Sequence, residues 1–296
     1  MNSATVSFLK MLRQRVEDLA KDGDMDEAVH AANAAVEKAQ QELSAEAQSV
    51  RAFADAVEVR AELFRQLERF DEAIDDYTQA IMVLEERDGH EVQLGRLYAG
   101  LGAVYDAAGR FDEAEESWRR AADYFKNTDP PAWLDVAAMW NNLAFLRRSV
   151  EDLEQAETYF LKALEIVHRE LGPKHEETAL LYNNLGACYQ AGGFYEQARE
   201  MHMMALEARR ERLGPLHPDT AQSHNNLALA LEMTGNHEMA VVHFEQALKG
   251  FQAAGEEYKD DLEAVTANYA ACLRRQGNEE SASEMEDRSS ELSECA

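Results

Sequence analysis

The sequence predicts an all-α fold, a solenoid of about seven antiparallel helix hairpins running through residues 1–296 as a single body. Three observations predict it. An alanine recurs at Ala28, Ala73, Ala114, Ala156, Ala198, Ala240 and Ala282, in steps of 45, 41, 42, 42, 42 and 42 residues, and a fixed period of this size marks a repeat architecture. A second small residue stands seven positions later in every unit: Ala35, Ala80, Ala121, Ala163, Ala205, Ala247 and Ser289. Upstream of the alanine, apolar residues recur at three and four, as in Tyr182, Leu185, Gly186 and Tyr189, which is helical spacing. β-Branched residues never alternate over a useful length, so no strand signal competes.

The hairpins occupy approximately 4–44, 46–88, 91–127, 132–172, 174–214, 216–255 and 258–293. Within each, the first helix ends ahead of the marker alanine. Gly23, Gly109, Gly193, Gly235 and Gly277 stand five residues before it, and glycine takes the left-handed conformation cheaply. Acidic or amide residues follow, as in Asp112-Glu113 and Glu196-Gln197, where they favour the positive end of the second helix. The small residues mark where two helices cross closely, with aromatics beside them. Between units, Gly172-Pro173 and Gly214-Pro215 end one helix and forbid its continuation, and Pro218 suits the first turn of the next. Asn127-Thr128-Asp129-Pro130-Pro131 is a stiffer break, and Ala254-Gly255-Glu256-Glu257 lacks proline. The last helix carries Glu286 and Ser289 where earlier units have aromatic residues and alanine. That polarity suits a C-terminal cap, with fraying expected from about Ser290.

These residues carry a family resemblance. Tyr98, Leu101, Gly102, Tyr105, Ala114, Trp118 and Ala121 stand in the tetratricopeptide pattern, and Trp140, Leu143, Ala144, Ala156, Phe160 and Ala163 repeat it. The 42-residue unit is longer than the ~34 of the standard repeat. Asn141-Asn142-Leu143, Asn183-Asn184-Leu185 and Asn225-Asn226-Leu227, with the linkers at Leu171–His175 and Leu213–Thr220, resemble the kinesin light chain type. The resemblance implies a right-handed superhelix with a concave face, lined by the first helices, that binds an extended peptide or another protein.

Composition narrows the rest. There are 29 Lys+Arg against 57 Asp+Glu, a net charge of −28. That excess disfavours nucleic acid and anionic membranes, which select cations, and makes a neutral or basic protein partner the better match. Length alone, at roughly 150 residues per domain, suggests two domains; the repeat replaces them with one solenoid. The three cysteines, Cys188, Cys272 and Cys295, fit a reducing, cytoplasmic setting rather than a disulfide framework. The N-terminus carries no secretory signal pattern. No histidine pair has the spacing of a helical zinc site, and no nucleophile or phosphate-loop motif occurs. The expectation is therefore no catalysis, no cofactor and no metal.

Candidate groove positions follow from the register. Fifteen residues before the marker alanine stand Arg13, Glu58, Ala99, Asn141, Asn183, Asn225 and Ala267. An amide offers donor and acceptor together, so Asn141, Asn183 and Asn225 suit the backbone of an extended segment; alternatively they tie neighbouring helices together. Arg96 and Gln222 sit three residues before this position, Phe145 four after, and Arg148, Gln190 and Arg274 seven after. Arg148 and Arg274 suit a partner carboxylate or a neighbouring Glu. Residues 180–221 hold 4 Lys+Arg and 5 Asp+Glu, whereas 222–263 hold 2 and 8, and 51–95 hold 5 and 12. The near-neutral fifth unit is the expected binding centre. The leading function is a protein-interaction scaffold; alternatives are a homo-oligomeric assembly element and a regulatory subunit of an enzyme.

Overall fold

The computed structural model describes residues 3–44 and 46–285. Among these, every regular element is helical: α1 (Ser3–Asp22), α2 (Met25–Gln41), α3 (Ala47–Gln66), α4 (Phe70–Glu85), α5 (Glu91–Ala107), α6 (Phe111–Lys126), α7 (Trp133–Ser149), α8 (Leu153–Leu171), α9 (Glu176–Ala191), α10 (Tyr195–Leu213), α11 (Pro218–Met233), α12 (His237–Ala254) and α13 (Lys259–Arg275). Residues 279–285 are helical again. The expected polar cap at Glu286 and Ser289, and Cys295, lie outside the described residues.

The chain divides into two compact units, Met1–Leu146 and Arg147–Ala296, with the boundary inside α7. In the first, α1 packs on α2, α3 on α4 and α5 on α6, and the first helices also touch in sequence, α1 with α3 and α3 with α5. In the second, α9 packs on α10 and α11 on α12, and α9 touches α11 as α11 touches α13. Each unit thus has one layer of first helices beside a layer of second helices.

The marker alanines explain the packing. All seven are fully buried, and Ala80, Ala121, Ala163, Ala205 and Ala247, one turn pair later, are too. A larger side chain at either place would hold the two helices of a hairpin apart. Aromatic rings fill the flanks. Trp118 lies against Gly102, where an added Cβ would stand 2.6 Å from the indole, and its Nε1–H donates to the Ala99 carbonyl at 3.1 Å. Phe160 and Phe244 are wholly enclosed at the equivalent position, each a burial of about 1.5–3 kcal/mol.

Every hairpin turn closes in one way. The residue five before the marker donates its N–H three back, as Gly109 does to Asp106 at 2.9 Å, and the next residue donates five back, as Arg110 does to Tyr105 at 2.8 Å. This is a Schellman closure, which needs a left-handed residue. Gly23, Gly109, Gly193, Gly235 and Gly277 supply it at φ between 72° and 84°. The second and fourth hairpins have no glycine there. Glu68 (φ 57°) and Glu151 (φ 63°) take the left-handed conformation instead, with the same pair of bonds. Sequence reasoning tied this turn to glycine, and the turn forms without it.

The linkers add a refinement. Gly172 (φ 87°, ψ 168°) and Gly214 (φ 93°, ψ 167°) end their helices with positive φ but extended ψ, a region open essentially to glycine alone. Pro218 opens α11, as its missing N–H suits. The linker histidines are N-caps: Nδ1 of His175 accepts from the Glu177 N–H, and Nδ1 of His217 from the Asp219 N–H, each at 3.2 Å.

Candidate functional site

The asparagine positions lie on α7, α9 and α11, the first helices of their hairpins. In the second compact unit they form a stitched array. Asn226 donates Nδ2–H to Oδ1 of Asn183 at 2.6 Å, and Asn268 donates Nδ2–H to Oδ1 of Asn225 at 3.2 Å. The second asparagine of one repeat therefore holds the first asparagine of the repeat before it. Gln222 supports the array by donating to Oδ1 of Asn226 at 3.1 Å. Asn183 is half-buried and Asn225 buried. The Nδ2 group of each makes no hydrogen bond to the described residues. Bracing thus uses the acceptor of each amide and leaves its donor.

The remaining candidates separate. Asn141 and Phe145 are half-buried on α7, as are Arg148 near its end and Gln190 on α9. Arg96 is exposed on α5 and engages Glu58, with Asp55 at 3.2 Å. Arg274 is exposed at the end of α13 and pairs with Glu279 at 3.5 Å. Both arginines are thus drawn to carboxylates of their own surface.

A separate open feature lies in the first compact unit. A cavity of about 700 Å³ opens between α1, α3, α5 and α7. Arg13, Glu58 and Ala99, three members of the predicted groove register, line it, and Arg96 joins them. Val59, Tyr77, Phe125 and Met139 supply apolar wall. The register identified these positions, but charge balance directed attention to the fifth unit instead. Units four to six place two asparagines at the register position and its neighbour, whereas the third unit has Ala99 and Gly100; both line the cavity, and the Tyr77 ring fills the space that a side chain at Gly100 would take.

The electrostatics of this cavity centre on Glu58. Its carboxyl is raised above the usual range by burial, against the opposing pull of Arg96. Arg96 holds Oε2, while Oε1 is buried without a hydrogen-bond partner. Two of the other wall charges have partners. Arg13 Nε donates to Glu17 at 3.0 Å, and Glu62 accepts from Arg65 at 2.7 and 2.8 Å. The Tyr77 hydroxyl is pushed upward by burial.

His202, Cys188 and Cys272 are buried in the packed interior. His202 occupies the aromatic position of its hairpin, against Gly186, where an added Cβ would stand 2.7 Å from the ring. Cys188 and Cys272 are buried free thiols, raised above the normal range by burial, which disfavours the reactive thiolate. Among the described residues no three His, Cys, Asp or Glu side chains come together as a metal site. No described helix is long and apolar enough to cross a membrane.

Comparison with known proteins agrees with this architecture. A tetratricopeptide repeat model matches residues 53–127, 135–211 and 177–253. No curated protein sequence matches the chain. Among solved structures, BtubC (BKLC) from P. vanneervenii is 27% identical with a TM-score of 0.69, over 78% of this chain and 92% of that one. A kinesin light chain protein of Podosopora anserina with nearly identical TPR-like repeats is 19% identical with a TM-score of 0.56, over 65% and 92%. The C-terminal part of a TPR repeat-containing protein from Cytophaga hutchinsonii is 17% identical with a TM-score of 0.60, over 93% of each chain. The chain belongs to the tetratricopeptide repeat family, with repeats of the kinesin light chain-like kind.

Proposed function

We propose that this protein is a non-catalytic interaction scaffold of the cytoplasm, in which seven hairpins act as one solenoid and bind an extended peptide or protein segment along the face of the first helices. One observation carries the reading. Asn183 and Asn225 keep an uncommitted amide donor after their acceptors are used for bracing. Uncommitted N–H groups at one register of successive repeats suit the backbone carbonyls of an extended chain, which are present whatever its sequence. The net charge of −28 favours a neutral or basic partner, and the buried free thiols fit a reducing compartment.

The test is a pull-down with the wild type and with Asn141→Asp, Asn183→Asp and Asn225→Asp combined. Aspartate keeps an oxygen for the bracing bond at Asn183 and Asn225 but replaces the donor with a second acceptor. Loss of partner recovery from a variant with unchanged helicity supports the reading. Equal recovery by both proteins rejects it.

A further inference from the structure

The cavity between α1, α3, α5 and α7 is built around a partly neutralised charge. Glu58 sits at the groove register in its wall, with one oxygen held by Arg96 and the other buried and unbonded. A carboxylate accepts several hydrogen bonds, and one left short of partners in a partly buried place favours the arrival of a cation. Two of the neighbouring cations are already engaged. Arg96 is shared with Asp55 at 3.2 Å, and Arg13 is held by Glu17 at 3.0 Å. Asp135, on the α7 wall, makes no ion pair with the described residues, and Lys21 is an exposed cation of the α1 wall.

The walls suit an amphipathic side chain. Val59, Phe125 and Met139 offer apolar contact between the charges, which is what the aliphatic stem of lysine or arginine seeks while its head finds a carboxylate. A volume of about 700 Å³ is within the range of sites that enclose a ligand group.

We propose that this cavity is an anchor for one lysine or arginine side chain of the bound peptide, with Glu58 as the residue that selects the positive charge. The inference rests on the groove-binding reading above and adds the chemistry of one position in the partner.

The test uses the full chain and a positional-scanning library of peptides about ten residues long, long enough at ~3.3 Å per residue to pass several first helices. Each position is fixed in turn as Lys, Arg, norleucine or Glu, and binding is read by fluorescence polarisation. The expected result is one position at which Lys or Arg binds about tenfold tighter than norleucine, a difference of about 1.4 kcal/mol. In Glu58→Gln the preference falls below about twofold while norleucine peptides bind as before. A cation preference that is absent, or that survives Glu58→Gln, overturns the anchor and leaves the groove reading standing. Failure of every peptide to bind overturns both. The comparison of Lys with norleucine on wild type needs no variant, so it holds should Glu58→Gln fold poorly, and Asp135→Asn on the exposed wall gives a second variant. N-acetyl-lysine amide serves as a competitor without a peptide chain. Displacement by it as effective as by the selected peptide would assign the cavity to free amines and overturn the proposal.

Discussion

Nδ1 of His224, on α11, faces Nδ1 of His243, on α12, at 2.8 Å, with the ring centroids 5.0 Å apart. One nitrogen must donate and the other accept, so the two rings cannot both be protonated. Burial lowers His224 to about 4, with His243 and Arg210 adding to the effect, and burial lowers His243 as well. His202 is lowered to about 4 by burial alone. In the unfolded chain each titrates near ~6.5. Below that pH the unfolded state takes up protons that the folded state refuses. Stability is therefore full above about pH 6.5 and declines as pH falls toward about 4. For His202 the loss is on the order of 3 kcal/mol across the window. Urea midpoints at pH 7.5, 6 and 5 check this. His202→Phe, the residue of the equivalent positions 160 and 244, should make the decline shallower. A midpoint constant across the window would contradict it.

Glu68 and Glu151 bear a cost that the other five turns avoid. A non-glycine residue in the left-handed region loses about 1–2 kcal/mol, and glycine returns about 0.5–1 of that through its freer unfolded state. Glu68→Gly and Glu151→Gly should each stabilise their turn by about 0.5–1 kcal/mol, read as a higher urea midpoint. Gly109→Glu, the reverse change at the same turn, should lower it. An unchanged or lower midpoint for both Glu→Gly variants would show that the turn is not strained.

A partly buried ion pair in the first compact unit predicts a different pattern. Arg60 donates to Asp76 at 2.7 Å through Nε and 2.5 Å through Nη2, and to Oδ1 of Asn33 at 3.1 Å through Nη1. Burial raises Asp76 even against the pull of Arg60. Arg60→Met strands that carboxylate and should cost about 3–5 kcal/mol. Arg60→Met with Asp76→Leu removes both charges and should recover most of the loss. Chemical denaturation of the single and double variants decides it. A double variant as unstable as the single would assign the cost to packing.

The amide stitch predicts an ordering. Asn226→Ala removes the donor to Asn183 and the acceptor for Gln222, and should cost about 1–3 kcal/mol. Asn183→Asp keeps an acceptor for Asn226 and should cost less. Equal losses in denaturation would mean that a carboxylate at position 183 does not preserve the bond from Asn226.

The repeat made the fold legible in the sequence. Ala114 and Ala121 could be placed at a helix crossing because only short side chains permit it, and the same logic holds in each unit. Gly109 and its counterparts announced the turns. Glu68 and Glu151 did not, because nothing about glutamate signals a left-handed residue; only the period locates them. The site was less legible. Spacing gave the register of Arg13, Glu58, Ala99, Asn183 and Asn225. It did not show that Asn226 and Asn268 would consume the acceptors of the asparagines one repeat earlier, since that pairing depends on how two helices lie together. Net charge by segment pointed to the fifth unit, whereas the cavity of the first compact unit is lined in part by Ala99 and Gly100, which carry no charge at all.

The stitch from Asn226 to Asn183 crosses from one repeat to the next over 43 positions, and the one from Asn268 to Asn225 spans the same interval. In the Asn225-Asn226 pair one residue accepts from the repeat after it and the other donates to the repeat before it. A deletion running from Asn184 through Asn225 would therefore join Asn183 directly to Asn226 and rebuild the dipeptide at the scar. Asn183 would then stand where Asn225 stood, ready to accept from Asn268. The number of repeats becomes a quantity that a gene can raise or lower by recombination at this codon pair, with an acceptor for Asn268 kept across the join.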